Sequence, residues 1–278
     1  MDYKTFSNGV TIPVVGFGTW QVSPEEAYAS VASALDVGYR HIDTAAAYEN
    51  EAEIGQAITD SGVVRSDLFI TTKLWNRIRG YKETLQAAKE SMEKLQTEYL
   101  DLYLIHWPNP APHRHWWQEA NAESWKAMEE LYEAGKIKAI GISNFEERHI
   151  DELLKTATII PHANQIRLFA GEQQRALVAY CRNKGMVTQA YSPLGVGGIL
   201  SHELIVTIAK ESNHTPAQVA LRYNIQKGHV VLPKSVHKER MVENLNLFDF
   251  TLSDEQMIRL DAIPNVISPK RNPDEVSF

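Results

Sequence analysis

The chain has 278 residues, 44% of them hydrophobic, which suits one large domain or two small ones, and a formal net charge of -7 that argues against a broad grip on nucleic acid or an anionic membrane. Its single cysteine, Cys181, excludes an internal disulfide framework, fits a reducing compartment and sits in a helical setting, ALVAYCRNKG, where a buried structural thiol is expected. The start, MDYKTFSNGV, lacks a charged n-region and an apolar h-region, and no stretch reaches the length of a membrane span, so a cytoplasmic protein is expected.

In chain order, YKTFSNGVTIPV comes first, with an Asn8-Gly9 turn between short apolar segments, and predicts a β-hairpin ahead of the main fold. Short apolar runs follow near residues 14–17, 39–42, 68–72, 100–105, 137–142, 163–166, 186–190 and 230–232. Amphipathic stretches with helix punctuation separate them. SPEEAYASVASALDVG has Ser23 as N-cap, Pro24 as the first helical residue and Gly38 as a stop, and SDEQMIRLDAI pairs Ser253 with Gln256 at capping-box spacing. No charge run or Pro/Ser-rich linker divides the alternation, which predicts a single α/β domain over residues 1–278. An open nucleotide-binding sheet would carry a glycine fingerprint after its first strand, but VVGFGTWQV lacks the third glycine and continues into bulky Trp20. The prediction is a closed (β/α)8 TIM barrel, which typically takes ~250 residues, with the hairpin plugging its bottom.

Three strings carry the chemistry: RHIDTAAAYENE, LFITTKLW and LDLYLIHWP. Strands buried on both faces end there in Asp43, Lys73 and His106, with Tyr48 in a loop just beyond Asp43. A buried strand ends in a charge only where the charge is paired or used. Strand ends and following loops build the active sites of such barrels, so the four side chains are expected to share one pocket. Tyr48 is the natural proton donor, and bringing a phenol from its usual pKa of ~10 to ~8 takes a neighbouring cation, for which Lys73 is the candidate. Asp43 would keep Lys73 protonated and in place. A neutral His106 would donate a hydrogen bond to a carbonyl oxygen. Such a pocket protonates oxygen as negative charge develops on it, which suits carbonyl reduction with hydride arriving from elsewhere.

These segments, together with GYRHIDTAAAYENEAEIG, FITTKLWN, IGISNF, YSPLG and VLPKSV followed by Arg240 and Glu243-Asn244, resemble the aldo-keto reductases over nearly the whole chain. The ITTKLWN string and short tail are most similar to the bacterial 2,5-diketo-D-gluconate and methylglyoxal reductase group. The resemblance implies a (β/α)8 barrel, NADPH as cofactor, no metal, and a tetrad of Asp43, Tyr48, Lys73 and His106. Ser143, Asn144 and Gln165 would then hold the nicotinamide carboxamide, and Tyr191 would stack on its ring. Ser192 and Leu194 would open the loop over the pyrophosphate, with Gly195, Gly197 and Gly198 making it pliable. Lys234, Ser235 and Arg240 would hold the 2′-phosphate, with Asn244 near the adenine; two cations and a hydroxyl suit a dianion. Gly18, Thr19, Trp20, Asp43, Val236 and Glu243 complete the implied cofactor set, and Trp20, Tyr48, His106 and Trp107 the substrate pocket.

Two places depart from the family pattern. Arg167 stands after Asn164-Gln165-Ile166 where an acid and then His-Pro are usual, and HWPNPAPHRHWWQEANAES carries a His113–Trp117 cluster that could line the substrate entrance or lie in solvent. If Arg114, His113, His115, Lys270 and Arg271 fold over the mouth, it becomes basic and favours anionic carbonyl compounds. Taken alone, Asp43 and Lys73 also read as a structural ion pair. The chain is thus expected to be a monomeric NADPH-dependent reductase of small aldehydes, α-dicarbonyls and keto sugars such as 2,5-diketo-D-gluconate. Its rivals are a catalytically weak NADP-binding barrel with a regulatory or structural role and a phosphate-binding isomerase or lyase.

Overall fold

The computed structural model describes residues 2–265 and 267–278. β1 (Tyr3–Thr5) and β2 (Thr11–Pro13) pair antiparallel across the Asn8-Gly9 turn, where Gly9 takes φ 87°. β3 (Phe17–Gly18), β4 (His41–Asp43), β5 (Phe69–Leu74), β6 (Leu102–Ile105), β7 (Ile140–Ser143), β8 (Ala163–Arg167), β9 (Val187–Tyr191) and β10 (Val230–Leu232) form one parallel sheet in sequential order. A parallel bridge between Val15 and Val231 closes it, with Gly16 donating to Val231 O at 2.8 Å. Closure needs glycine at position 16, because a Cβ there would stand 2.5 Å from Nδ1 of the buried His41 ring. The result is the eight-stranded barrel that the alternation predicts.

The strands follow the pleat. Leu102 and Leu104 point into the barrel, where they meet Phe6 and Ile12 of the hairpin segment, Phe69, Ala139, Ala163 and Val230. The hairpin therefore seals the end at which strands begin, as expected. Tyr103 and Ile105 point the other way, into the layer between strands and helices. Ile70 and Ile142 are fully buried in that layer, and truncating either to alanine would cost about 2–5 kcal/mol.

The outer ring comprises α1 (Pro24–Asp36), α2 (Glu51–Asp60), α3 (Tyr81–Lys94), α4 (Trp117–Glu133), α5 (Glu147–Leu153), α6 (Arg175–Asn183), α7 (Glu203–Ser212), α8 (Pro216–Gln226), α9 (Lys238–Leu245) and α10 (Asp254–Asp261). Ser253 and Gln256 form the predicted capping box, and Thr215 and Gln218 form another on α8. Ser23 occupies the N-cap of α1, but its hydroxyl turns to Glu26 Oε2 at 3.4 Å instead of capping an amide. Cys181 is fully buried and its thiol is pushed up to about 11 by burial, so it is structural as read. No helix among the described residues is long and apolar enough to cross a membrane.

Candidate active site

Asp43, Lys73 and His106 arrive together because β4, β5 and β6 are neighbours and each ends at the same face of the barrel. Lys73 is fully buried, and its Nζ donates to Asp43 Oδ1 at 2.6 Å and to Thr44 O at 2.8 Å. The other carboxylate oxygen of Asp43 accepts from Gln165 Nε2 at 2.7 Å. Thr19 donates its amide and hydroxyl to Asp43 O, fixing the backbone of the strand end. Tyr48 closes a short 3-10 turn (Ala46–Tyr48) just beyond β4. Its ring centroid lies 5.2 Å from Lys73 Nζ and 5.8 Å from the His106 ring, which it meets edge-on at 75°. The four side chains read from the sequence do converge.

The protonation states follow from burial. Burial draws the Lys73 ammonium below its usual pKa, and Asp43 opposes that. Burial, then the charges of Lys73 and Arg79, push His106 well below the usual imidazole range, so it is neutral at pH 7, and its buried Nδ1 has no partner among the described residues. Tyr48 differs from expectation. Burial, and then the Asp43 carboxylate, hold its phenol well above the usual range rather than near 8. The reason is geometric: Lys73 gives its hydrogen bonds to Asp43 and Thr44, not to the phenol, and Asp43 cancels its charge.

The residues implied for the carboxamide form a wired row. Ser143 Oγ donates to Gln165 O at 2.9 Å, Asn144 Nδ2 donates to Ser143 Oγ and His106 O, and Tyr191 OH donates to Asn144 Oδ1 at 2.8 Å. Asn144 and Ser192 flank this row in the left-handed region, at φ 62° and 48°, a conformation costly to non-glycine residues. Gln189 was missed by sequence reasoning: its Oε1 accepts from Gln165 Nε2 at 3.0 Å, and its own buried Nε2 has no partner among the described residues. Only its inward place on β9, between Thr188 and Ala190, could have signalled it.

Leu194 leads into a short 3-10 turn (Gly195–Gly197), and a Cβ on Gly195 would stand 2.3 Å from Ile267 of the tail. A Cβ on Gly18 would stand 3.1 Å from Leu232 O, so β3 needs its glycine to lie against β10. Beyond β10, Lys234 and Arg240 are exposed, and neither side chain has a hydrogen-bond or ion-pair partner among the described residues. Ser235 Oγ accepts from His237 N at 3.0 Å, Val236 packs at the core edge, and Asn244 is buried on α9. Glu243 is committed elsewhere, accepting from Thr215 Oγ1 at 2.6 Å at the start of α8.

Trp107 is buried against Phe278, the last residue, with ring centroids 5.4 Å apart, whereas Trp20 is 44% exposed. The tail crosses the same face as the strand ends. Arg167, the departure from the family pattern, donates to Ser268 O and Pro269 O and so moors the tail to β8. Arg114 donates to Val276 O, Lys270 pairs with Glu146 at 2.7 Å, and His113 Nε2 meets Arg77 O at 3.1 Å. Arg114 thus ties its turn to the tail, and Lys270, paired with Glu146, is the one of the residues expected at the mouth whose charge a carboxylate meets. The His113–Trp117 segment is a 3-10 turn (Ala111–Trp116) running into α4, not an open loop.

A sequence model of the Aldo/keto reductase family matches residues 14–265. Glyoxal reductase of Bacillus subtilis (strain 168) is 45% identical over 278 residues, covering 100% of this chain and 98% of its own. Morphine 6-dehydrogenase of Pseudomonas putida is 40% identical, covering 97% of this chain and 94% of its own. Among solved structures, a Gox0644 mutant in complex with NADPH superposes with a TM-score of 0.92 at 38% identity, covering 100% of this chain and 99% of that one. The chain belongs to the aldo/keto reductase family and is an oxidoreductase.

Proposed function

We propose that this protein reduces aldehydes and ketones to alcohols with NADPH, with Tyr48 as the general acid. One observation carries the reading: a neutral phenol and a neutral imidazole meet edge-on above a buried Lys73–Asp43 pair. Both Tyr48 and His106 can then donate to one carbonyl oxygen, so negative charge developing there meets two donors. NADPH supplies the hydride to the carbonyl carbon. Tyr48 gives its hydroxyl proton to the oxygen, leaving a phenolate whose ring centre lies 5.2 Å from the Lys73 ammonium of the Lys73–Asp43 pair. His106 keeps the oxygen oriented and stays neutral throughout.

The cofactor residues fit their group. Lys234 and Arg240, exposed cations that no carboxylate of the described chain takes up, suit a 2′-phosphate. Ser143, Asn144 and Gln165 offer amide and hydroxyl groups beside Tyr191 for a carboxamide and a flat ring. Ser192, Leu194 and Gly195 would lie over the pyrophosphate, with Gly18, Thr19, Trp20, Ser235, Val236 and Asn244 around the rest. The name of the Bacillus subtilis relative, glyoxal reductase, supports α-dicarbonyls as substrates, and walls built from Trp20 and Trp107 suit small or planar carbonyl compounds. Keto sugars such as 2,5-diketo-D-gluconate belong to the same proposal, as do a single domain over residues 1–278, a cytoplasmic setting and a monomeric state. A panel of aldehydes, α-dicarbonyls and keto sugars with purified protein and NADPH tests it. Carbonyl-dependent NADPH oxidation is the expected result, and binding without turnover on every substrate would favour a regulatory or structural barrel.

A further inference from the structure

Arg79 lies in the loop between β5 and α3 and is 4% exposed, yet no carboxylate is its partner among the described residues. Its guanidinium instead donates to three backbone carbonyls: Trp75 O at 3.0 Å, Ile78 O at 2.7 Å and Trp107 O at 2.6 Å. Trp75 lies two residues beyond Lys73, and Trp107 directly follows His106. One side chain thus ties the backbone that leaves Lys73 to the backbone that leaves His106.

We propose that Arg79 is a positioning residue for the reduction, a clamp between the Lys73 and His106 loops and the uncompensated cation of the site. Lys73 and Asp43 meet at 2.6 Å, whereas no carboxylate of the described chain lies within ion-pair distance of Arg79, so its charge stands unpaired behind the pocket where oxygen becomes anionic. Burial pushes the guanidinium down to about 9, so it is still protonated at neutral pH. Around His106 stand Lys73 from β5, the Tyr48 ring from the turn beyond β4, Asn144 from the end of β7, and Arg79. Of the two cations, only Arg79 lacks a counter-charge. It favours the neutral form of the imidazole. This inference rests on the proposed role of His106, and its test is chosen to be separable from that role.

The experiment uses Arg79→Gln and Arg79→Lys in the full chain. Histidine-labelled NMR titration of His106, assigned by loss of its signal in His106→Asn, is run beside the pH dependence of kcat/KM at saturating NADPH. Arg79→Gln should move the His106 titration and the acid limb of the profile upward together by about one pH unit. It should also lower kcat roughly ten- to a hundredfold through misplacement of the site, while NADPH affinity is retained. Arg79→Lys should keep the His106 titration in place and lower kcat, because charge survives but the three-carbonyl clamp does not. A folded Arg79→Gln protein with an unmoved His106 would overturn the proposal. Should that variant not fold, Arg79→Lys decides: wild-type kcat, or a displaced His106 titration, would overturn it equally. His106→Asn with wild-type kcat would instead remove the role given to His106, leaving the NMR result to report on Arg79 alone.

Discussion

Lys73 spends its charge on Asp43: the two meet at 2.6 Å, nine-tenths or more buried, while the Tyr48 ring centre lies 5.2 Å from the ammonium. The pair is a platform beneath the phenol rather than a direct hydrogen-bond partner of it. Removing one member strands the other in a dry site. Lys73→Met should therefore cost about 3–5 kcal/mol of stability, because Asp43 is left as a buried unpaired carboxylate. The double variant Asp43→Asn/Lys73→Met should recover much of that loss but none of the activity. Urea midpoints for the three proteins check this; an additive double variant would mean that the pair is not coupled.

The proposed coenzyme choice rests on Lys234 and Arg240, which the chain itself leaves unpaired among the described residues. Each charge-assisted contact to a 2′-phosphate should contribute about 1.5–3 kcal/mol to NADPH and nothing to NADH. Arg240→Ala should weaken NADPH roughly ten- to a hundredfold and leave NADH nearly unchanged. Dissociation constants for both coenzymes decide it, and equal losses would make Arg240 a shaper of the loop instead.

Any favour for anionic substrates should be modest. Lys270 is paired with Glu146, leaving Arg114, which binds the neutral Val276 O, and Arg271, stacked over Phe278, to present charge. For matched carboxylated and neutral carbonyl compounds, the ratio of kcat/KM should exceed one at low salt by less than about tenfold and shrink as salt rises. A large ratio insensitive to salt would instead point to a charge inside the pocket.

Acid should unfold the barrel through two buried histidines. Burial lowers His41 to about 4 and His229 to about 3, against 6.5 for an ordinary imidazole. Between those values the unfolded chain binds protons that the folded one refuses, so stability is full above pH ~6.5 and falls as pH drops. Each histidine should account for roughly 2 kcal/mol between pH 7 and pH 5. Urea midpoints at the two pH values measure it, and His41→Gln should flatten the dependence even if it lowers stability at pH 7.

Much of this site was legible because buried strands announce their ends. LFITTKLW and LDLYLIHWP run apolar until Lys73 and His106, and the barrel brings successive strand ends together without further information. The hairpin was legible from Asn8-Gly9, since few residues tolerate the backbone that turn requires. Arg79 was not. NRIRG carries charge, sits beside glycine and looks like solvated loop; only the fold reveals three carbonyls converging on one guanidinium. The tail was equally opaque, because its moorings come from distant places: Arg167 on β8, Arg114 after β6, and Asn109, Arg148 and His149 on Asp274. The state of Tyr48 was misjudged for a related reason. Sequence shows that a lysine is near, but not which neighbour takes its charge.

Tyr48→Phe asks whether the Tyr48 hydroxyl delivers the proton, because the ring and its contact with His106 remain while one oxygen leaves. The measurement pairs the rate of NADPH oxidation with a reactive aldehyde and the NADPH dissociation constant of the same protein. The account predicts that kcat falls by at least about 10²–10⁴-fold, the usual worth of a positioned acid, with NADPH binding unchanged. A Tyr48→Phe protein that keeps most of the wild-type kcat would contradict it and pass the acid role to His106.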